Sequence, residues 1–392
     1  MPSPASSHIL LAGLVTTAVG FLSAFAVVLA GLRAVGASPA QAASGLLAVT
    51  VGMGLATILL SVRTRLPITI AWSTPGAALL ATTGAVDGGW PAAVGAFAVC
   101  GVLLAVVGLW GRLAALTAHI PATIASAMLA GVLLDLCLAP VRALETTGWL
   151  VAPVIGLWVV LLRLAPRWAA PAGLVVATGL AFTSADVRAL PAATWLPTLE
   201  WTAPTLGVAS VVSLAVPLFV VTMASQNLPG VAVLAGFGYV APWRRVLLTT
   251  GVGTMLVAPF GGHALNLAAI SAALAAGPEA GADRGERWRA ATTAGVGYVA
   301  VGLGSAGVAA VALAAPGGLI EAAAGLALVA TLAASLRSAF SVAPHAVAAA
   351  ATFLVTVSGV RPWGVGSAFW GLVAGVVLLA LTRLLRRPRL DI

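Results

Sequence analysis

The sequence predicts an all-α integral membrane protein of fourteen transmembrane spans, built as two inverted repeats of seven spans. The first observation is composition: 61% of residues are apolar, 7% are charged and the mean hydropathy is +1.11, whereas about a quarter of a soluble domain is charged. The second is a pair of polar-interrupted apolar segments half a chain apart. The third is a strong bias of arginines to alternate loops. We therefore expect one membrane domain covering 1–392.

The predicted spans are delimited by proline, glycine and arginine clusters. In the first repeat, about 8–185, they are 8–31, 40–62, 67–83, 91–111, 119–139, 149–165 and 169–185. In the second repeat, about 205–385, they are 205–240, 245–259, 262–277, 288–313, 317–336, 341–359 and 364–385. The run 205–240 is counted as one interrupted span because Gln226, Asn227 and Pro229 lie within it. The first apolar run is longer than the core of a cleavable signal and is predicted to be a span.

Arginine placement predicts the orientation. With alternating loops, 15 of the 19 basic residues fall on one side, namely Arg63, Arg65, Arg112, Arg163, Arg167, Arg244, Arg245, Arg284, Arg287, Arg289, Arg337, Arg383, Arg386, Arg387 and Arg389. The other side has Arg33, Arg142, Arg188 and Arg361. The positive-inside rule then places both termini in the cytoplasm, which we take to be that of a bacterium with this chain in its inner membrane. Topology and anionic membrane lipid account for the basic charge, so no nucleic-acid partner is expected.

The segment 68–80 interrupts the third span. Pro75 removes a backbone donor and favours the first turn of a new helix, and Gly76 follows it. The β-branched residues before them suit an extended stretch. Such backbone is tolerated at membrane depth only inside protein or beside a polar cavity.

The segment 257–269 matches it in the second half, since Thr74 and Asn266 are 192 positions apart in 392 residues. Gly261 and Gly262 precede His263, so a second half-helix is predicted to begin there. Paired broken segments are typical of secondary transporters. Two facing helix N-termini would hold one anionic group without a buried Lys or Arg. The alternative is that both segments are kinks required for packing.

Four small polar side chains, Thr222, Ser225, Gln226 and Asn227, form a third cluster, in the eighth span. Buried amides without partners cost about 1–3 kcal/mol each. We interpret the cluster as a site lining, although Ser and Thr also join helices in membranes.

Three side chains are candidates for proton coupling. Asp135 and Glu321 are the only acidic residues placed within predicted spans, near span ends where they would also be hydrated. His263 is placed in the first turn of a half-helix, where an anion and a proton would each favour binding of the other. The alternative is a neutral histidine that only donates a hydrogen bond.

Enzyme signatures are missing from the sequence: no Walker loop, dinucleotide fingerprint, zinc-ligand spacing or Ser/His/Asp grouping occurs in a plausible context. No cofactor or metal is therefore expected, and an ion gradient must drive transport. The alternatives to a gradient-driven carrier of this kind are a channel and a membrane-embedded enzyme. Within the carriers, the alternative is a transporter of another anion or a nucleobase. A channel would not need paired broken helices, and an enzyme should show clustered acids, His or Cys.

Several long motifs carry a family resemblance through nearly the whole chain. They include IAWSTPGAALL (70–80), PLFVVTMASQNLPGVAVL (217–234) and LVAPFGGHALNLAAISAA (256–273). They resemble the benzoate:proton symporters of the BenE type. The resemblance implies a uracil-permease-like fold in which a core (spans 1–4 and 8–11) moves against a gate (spans 5–7 and 12–14). It also implies uptake of a small aromatic carboxylate with a proton, often by a homodimer.

The same resemblance implies a substrate site between spans 1, 3, 8 and 10. It nominates Phe21, Ser73, Thr74, Gln226, Asn227, His263 and Asn266. Uracil-permease relatives have acidic residues in spans 8 and 10, whereas this chain has amides and a histidine, which suits a carboxylate that an acid would repel. Phe21, Trp72 or Phe260 would stack on an aromatic ring, unless they only pack in the core.

Overall fold

The computed structural model describes residues 4–110 and 121–385. The predicted positions of Arg112, Arg386, Arg387 and Arg389, and the first residues of the fifth predicted span, lie outside these ranges. The first half contains α1 (Pro4–Leu22), α2 (Phe25–Ala34), α3 (Pro39–Thr64), β1 (Ile70–Trp72), α4 (Thr74–Thr83), α5 (Gly89–Leu109), α6 (Ala122–Leu164), α7 (Pro166–Ala181) and the one-turn α8 (Ala185–Arg188).

The second half follows a polar connection that holds a 3₁₀ turn at Ala192–Trp195. It contains α9 (Val208–Gly236), α10 (Trp243–Val257), β2 (Leu265–Leu267), α11 (Ile270–Ala276), α12 (Trp288–Leu303), α13 (Ser305–Ala314), α14 (Leu319–Ala339), α15 (Ala346–Val357) and α16 (Ser367–Leu385). Further 3₁₀ turns lie at Ala258–Phe260, Pro278–Ala280, Ala343–His345 and Pro362–Gly364.

The all-α membrane fold that the sequence predicts is confirmed. Six helices in the described part of the chain are long and apolar enough to cross a membrane, and a seventh is added if α12 and α13, bent by 55°, count as one span. The run His8–Ala34 counts as one of the six, although it is interrupted between α1 and α2. Several other helices are shorter than the roughly 20 residues that a full span needs.

Helix α3 shows how local sequence sets these boundaries. Ser38 caps its N-terminus in a capping box with Gln41, and Pro39 occupies the first turn. Its C-terminus ends at Arg65, which adopts a left-handed conformation with φ 55°. The helix therefore has a defined start and end without help from the rest of the fold.

Helix α6 differs from the prediction of two spans, 119–139 and 149–165, with a loop between them. The structure has helical residues throughout Ala122–Leu164, and only Thr147 leaves the helical conformation (φ −133°, ψ 34°). Pro140 and Pro153 lie within this run. The two predicted spans are thus joined by a kink instead of a loop.

The only strands in the described residues are β1 and β2, and they pair with each other. They form an antiparallel ladder with Ile70 opposite Leu267, Ala71 opposite Asn266 and Trp72 opposite Leu265. Each strand stands beside a short helix, α4 after β1 and α11 after β2. The two strands therefore lie within 68–80 and 257–269, the two segments that the sequence singles out.

Candidate functional site

The paired strands β1 and β2 form a strand crossing. This strand crossing is buried in the protein interior. Two more backbone bonds extend the ladder: the Ser73 amide donates to the Ala264 carbonyl and the Ala268 amide donates to the Thr69 carbonyl, both at 2.9 Å. The strand pair is thus hydrogen-bonded over its whole length. This satisfies most backbone groups of an extended segment that is largely buried.

Neighbouring helices hold the outer edges of both strands through threonine hydroxyls. The Ile70 amide donates to Thr57 Oγ1 of α3, and the Leu265 amide donates to Thr254 Oγ1 of α10, each at 2.9 Å. Both threonines are fully buried. Each strand is therefore tied to the helix that precedes it in the chain.

Ser73 links β1, α4 and α9. Its hydroxyl caps α4 by accepting from the Gly76 amide at 3.1 Å, and Thr222 of α9 donates to the same oxygen at 2.9 Å. A Cβ at Gly76 would lie 2.5 Å from Leu218 Cδ1 and 2.8 Å from Ser73 Oγ, so a larger residue would have to displace these side chains. The N-terminus of α4 is thereby held against α9.

Helix α9 is irregular where its polar cluster lies. It contains two π-helical segments, Val211–Ala215 and Met223–Asn227, and each ends two residues before a proline, Pro217 and Pro229. A proline cannot donate to the carbonyl four residues earlier and its ring crowds that carbonyl. Local widening accommodates it, and π-bulges of this kind are frequent at functional sites.

Four of the residues nominated for the site are fully buried in the core: Ser73, Asn227, His263 and Asn266. Asn227 accepts from the Leu267 amide at 2.9 Å, Asn266 donates to the Leu267 carbonyl at 3.0 Å, and His263 Nε2 lies 3.2 Å from the Ser73 carbonyl. Their contacts stabilise the crossing of the strands. His263 Nδ1 and Asn266 Oδ1 have no hydrogen-bond partner among the described residues.

One half-helix prediction is wrong. The sequence places the second half-helix from about 262, with His263 in its first turn, whereas α11 begins at Ile270 and His263 precedes β2. The reason is the turn after Ala258–Phe260: Gly261 has φ +86°, a conformation that favours glycine, and the chain then extends to pair with β1. His263 therefore belongs to the extended segment.

A cavity of about 260 Å³ lies next to this crossing. Its lining comes from both halves of the chain: Val19, Gly20, Ser23 and Ala24 around the α1–α2 break, Ala71, Trp72, Thr74 and Pro75, Gln226 of α9, and Ala268, Ala269, Ser271 and Leu274. Helices α7 and α14 close the opposite side with Pro166, Arg167, Ala170 and Pro171 and with Ala327, Leu328, Ala330 and Thr331. The cavity thus lies between the strand crossing and two helices from elsewhere in the chain, and it is partly open.

Thr74 and Gln226 are the nominated site residues that line this cavity. Phe21, Ser73, Asn227, His263 and Asn266 lie behind it, within the surrounding packing. Phe21 packs on Phe25 and on Trp72, with ring centroids 5.4 and 5.7 Å apart. The aromatic ring that faces the cavity is therefore Trp72, and Phe21 supports it.

Arg167 is a cavity residue that sequence reasoning missed as a member of the site. It is the second residue of α7, lines the 260 Å³ cavity and an adjoining one of about 130 Å³, and pairs with Glu279 at 2.7 Å. From the sequence, Arg167 is predicted only to be a charged residue in a loop between two spans. Its closeness to Pro166 and Pro171, in a short connection between two spans, was the available signal.

Asp135 and Glu321 lie away from the cavity. Asp135 is exposed and pairs with Arg142 at 2.7 Å, and Glu321 is exposed in the first turn of α14. Neither residue lines the cavity beside the strands. Larger cavities of about 510 and 450 Å³ lie elsewhere, and their linings contain no amide or charged side chain. A third, of about 480 Å³, is lined by Arg63 and Arg245 but by no aromatic residue and no amide side chain.

Comparison with known sequences gives consistent matches over nearly the whole chain. Residues 3–381 match the family model described as benzoate membrane transport protein, BenE. The inner membrane protein YdcO of Escherichia coli (strain K12) is 37% identical over 377 residues, covering 96% of each chain. The benzoate membrane transport protein of Acinetobacter baylyi is 30% identical over 335 residues, covering 84% of each.

Solved structures share the fold. The transmembrane domain of the cyanobacterial bicarbonate transporter BicA aligns with a TM-score of 0.57 at 16% identity, covering 98% of both chains. The murine anion transporter Slc26a9 in the inward-facing state aligns with a TM-score of 0.61 at 13% identity, covering 98% of this chain and 69% of the other. At these identities the likeness concerns the fold alone.

Proposed function

This chain belongs to the benzoate membrane transport family, a family of membrane transporters and not of enzymes, and from this premise we propose that it imports benzoate or a related small aromatic carboxylate together with a proton. The observation that carries the proposal is the cavity between the strand crossing and helices α7 and α14. It combines an aromatic ring, hydrogen-bond donors and a guanidinium in the lining of one partly open cavity. Its volume of about 260 Å³ is just below the range of about 300–1,000 Å³ for drug-sized ligands, which suits a single-ring acid.

The carboxylate of the substrate is proposed to lie at the N-terminus of α4. Thr74 occupies the first helical position after the Ser73 cap, so its amide has no acceptor within the helix. Its hydroxyl and the Gln226 amide supply further donors. Helix α11 has only seven residues, so the positive end of the longer α4 makes the larger dipole contribution.

The aromatic ring is proposed to lie against Trp72. This side chain lines the cavity, and its position is fixed by β1 and by Phe21 packing. A ring held by strand and core packing loses little freedom when a second ring stacks on it. Stacked or edge-on aromatic pairs contribute about 0.5–1.5 kcal/mol beyond burial.

The proton is proposed to bind His263. Its Nε2 lies against the Ser73 carbonyl, one residue from both Trp72 and Thr74 of the cavity lining, and Nδ1 is buried without a described partner. A second proton on this ring would place a positive charge in a fully buried site, which an anion nearby would offset. Proton and carboxylate would then strengthen each other's binding. One proton also cancels the cost of moving an anion into a negative cell, about 2.3 kcal/mol per 100 mV.

The transport cycle is proposed to follow the fourteen-span, seven-plus-seven plan with alternating access. The core would contain spans 1–4 and 8–11, and the gate spans 5–7 and 12–14. Support comes from the cavity, because its two sides belong to these two groups of helices. The matched ties from Thr57 and Thr254 support the internal repeat. The homodimer implied by the family stays a prediction.

Cytoplasmic termini in an inner membrane are also proposed. The E. coli relative is named an inner membrane protein. Two arginines assigned to the cytoplasmic side, Arg65 and Arg289, lie over the same Trp288 ring, 4.4 and 5.6 Å from its centroid. This shared contact between distant segments of the chain supports the predicted orientation.

Counterflow in proteoliposomes tests the proposal. Vesicles loaded with unlabelled benzoate should accumulate labelled benzoate transiently, which a channel does not do. Excess benzoate should compete and uracil should not, and an inward proton gradient should drive accumulation without counter-substrate. Competition by uracil alone, or equilibration without overshoot, would contradict the proposal.

A further inference from the structure

A groove runs between α3 and α10. It consists of an apolar section with a volume of about 450 Å³ and a basic section with a volume of about 480 Å³. Leu59, Leu248 and Thr249 line both sections. The two sections therefore form one continuous groove.

The two sections differ in chemistry. The apolar section is lined by aliphatic and small residues, and its rim residues Leu55 and Leu256 are 56% and 67% exposed. The basic section contains Arg63 from α3 and Arg245 from α10, and its lining contains no carboxylate. Neither arginine forms an ion pair with a described acidic residue.

The length of the groove matches one leaflet. The groove extends from Gly52 to Thr64 on α3, and Arg63 follows Gly52 by eleven helical residues, which rise about 16 Å at 1.5 Å per residue. Half of the hydrocarbon core of a bilayer is about 15 Å thick. An acyl chain in the apolar section would therefore place its headgroup at the level of the two arginines.

We propose that this groove binds one anionic phospholipid, with its phosphate between Arg63 and Arg245 and an acyl chain along Leu55 and Leu256. The charge of the basic section and the aliphatic lining of the apolar section select this occupant, since basic pockets between membrane helices on the cytoplasmic side bind anionic headgroups. Both arginines belong to the side with the larger number of arginines, which faces the anionic leaflet.

The bound lipid packs against α3 and α10, the two helices that hold the strands of the candidate substrate site. Ala56 and Gly253 of the groove adjoin Thr57 and Thr254, whose hydroxyls hold β1 and β2. A lipid in the groove packs against the same helix segments that position the strands. It therefore stabilises the folded transporter whether or not the substrate is benzoate.

Native mass spectrometry of the purified full-length protein tests the inference with phosphatidylglycerol and phosphatidylcholine of identical chains. The wild type is expected to retain phosphatidylglycerol in preference to phosphatidylcholine. In the double variant R63Q/R245Q the ratio of the two retained lipids is expected to fall about tenfold. The matched control R163Q/R337Q removes two exposed arginines outside the groove and should keep the wild-type ratio.

Thermal unfolding with each lipid provides the second measurement, and it also shows that the variants are folded. Phosphatidylglycerol should raise the unfolding temperature of the wild type and the control more than that of R63Q/R245Q. Equal lipid retention by all three proteins would overturn the inference. A second outcome would also overturn it: the wild type is a dimer, R63Q/R245Q is a monomer, and both retain the same amount of lipid. The groove would then be covered by a second copy of the chain.

Discussion

Thr57 and Thr254 hold equivalent strand edges in the two halves of the molecule. They are 197 positions apart, and each hydroxyl accepts the amide of a strand residue at 2.9 Å, Ile70 for Thr57 and Leu265 for Thr254. Both also donate to a carbonyl of their own helix, at Met53 and Thr250. A strand edge that membrane burial would leave without water is thereby satisfied on both sides.

Replacing either threonine with valine is expected to destabilise the protein. The substitution keeps the shape and leaves a buried strand amide without an acceptor, at a cost of about 1–3 kcal/mol. T57V and T254V should each lower the unfolding temperature in detergent, and the double variant should lower it further. T178V is the control, because Thr178 bonds only its own helix at the Leu174 carbonyl. If T57V, T254V and T178V all unfold at the same temperature, this role is contradicted.

Thr74 is expected to contribute directly to substrate affinity. T74V removes a hydroxyl that faces the cavity, and a lost hydrogen bond to a charged group costs about 1.5–3 kcal/mol, which is roughly tenfold or more in the dissociation constant. T82V is the control on the same helix, since Thr82 bonds the Ala78 and Leu79 carbonyls and does not line the cavity. Isothermal titration with benzoate measures both. Similar affinities for T74V and T82V would place the carboxylate elsewhere.

Arg167 is expected to attract the substrate carboxylate and Glu279 to compete for it. Their side chains are 52% and 66% exposed, and exposed ion pairs contribute little stability, so Arg167 can exchange partners at small cost. R167Q should weaken benzoate binding about tenfold, whereas E279Q should bind at least as tightly as the wild type.

The control for this pair is R142Q. Arg142 pairs with Asp135 at the same distance of 2.7 Å, with a similar exposure of 62%, and lies outside the cavity. Benzoate affinity should not change in R142Q. An equal loss in R142Q and R167Q would show that the effect is general electrostatics of the protein surface.

His263 is expected to carry the coupled proton. In H263Q the glutamine amide can still donate to the Ser73 carbonyl, but it cannot take up a proton near neutral pH. Benzoate counterflow, which needs no net proton movement, should continue, while accumulation driven by a proton gradient should be lost. Full gradient-driven accumulation by H263Q would remove His263 as the proton carrier.

The membrane fold and the location of the crossing could be predicted from the sequence. Pro75, Gly76 and the Gly261–Gly262 pair mark places where a helix cannot continue, and their spacing of about half the chain relates the two halves. Pairing of β1 with β2 could not be predicted, because two three-residue strands have no periodic pattern that distinguishes them from a loop. The start of α11 was misplaced for the same reason.

The site could be predicted only to a limited extent. Thr74 and Gln226 line the cavity, whereas Asn227, His263 and Asn266, which belong to the same motifs, are buried in the core. A motif gives residue types, but which face of a π-helical segment meets a cavity depends on packing with other elements. Arg167 was missed because its role depends on where α7 packs against the strand crossing, a long-range relationship that local sequence does not contain.

A structure with bound 4-bromobenzoate tests the central claim most directly, because the anomalous signal of bromine locates the ligand independently of the protein map. The account predicts a single bromine position in the cavity bordered by Trp72, Gln226 and helices α7 and α14, with the carboxylate toward Thr74 at the start of α4. A bromine position outside that cavity, with the cavity itself empty, would contradict it.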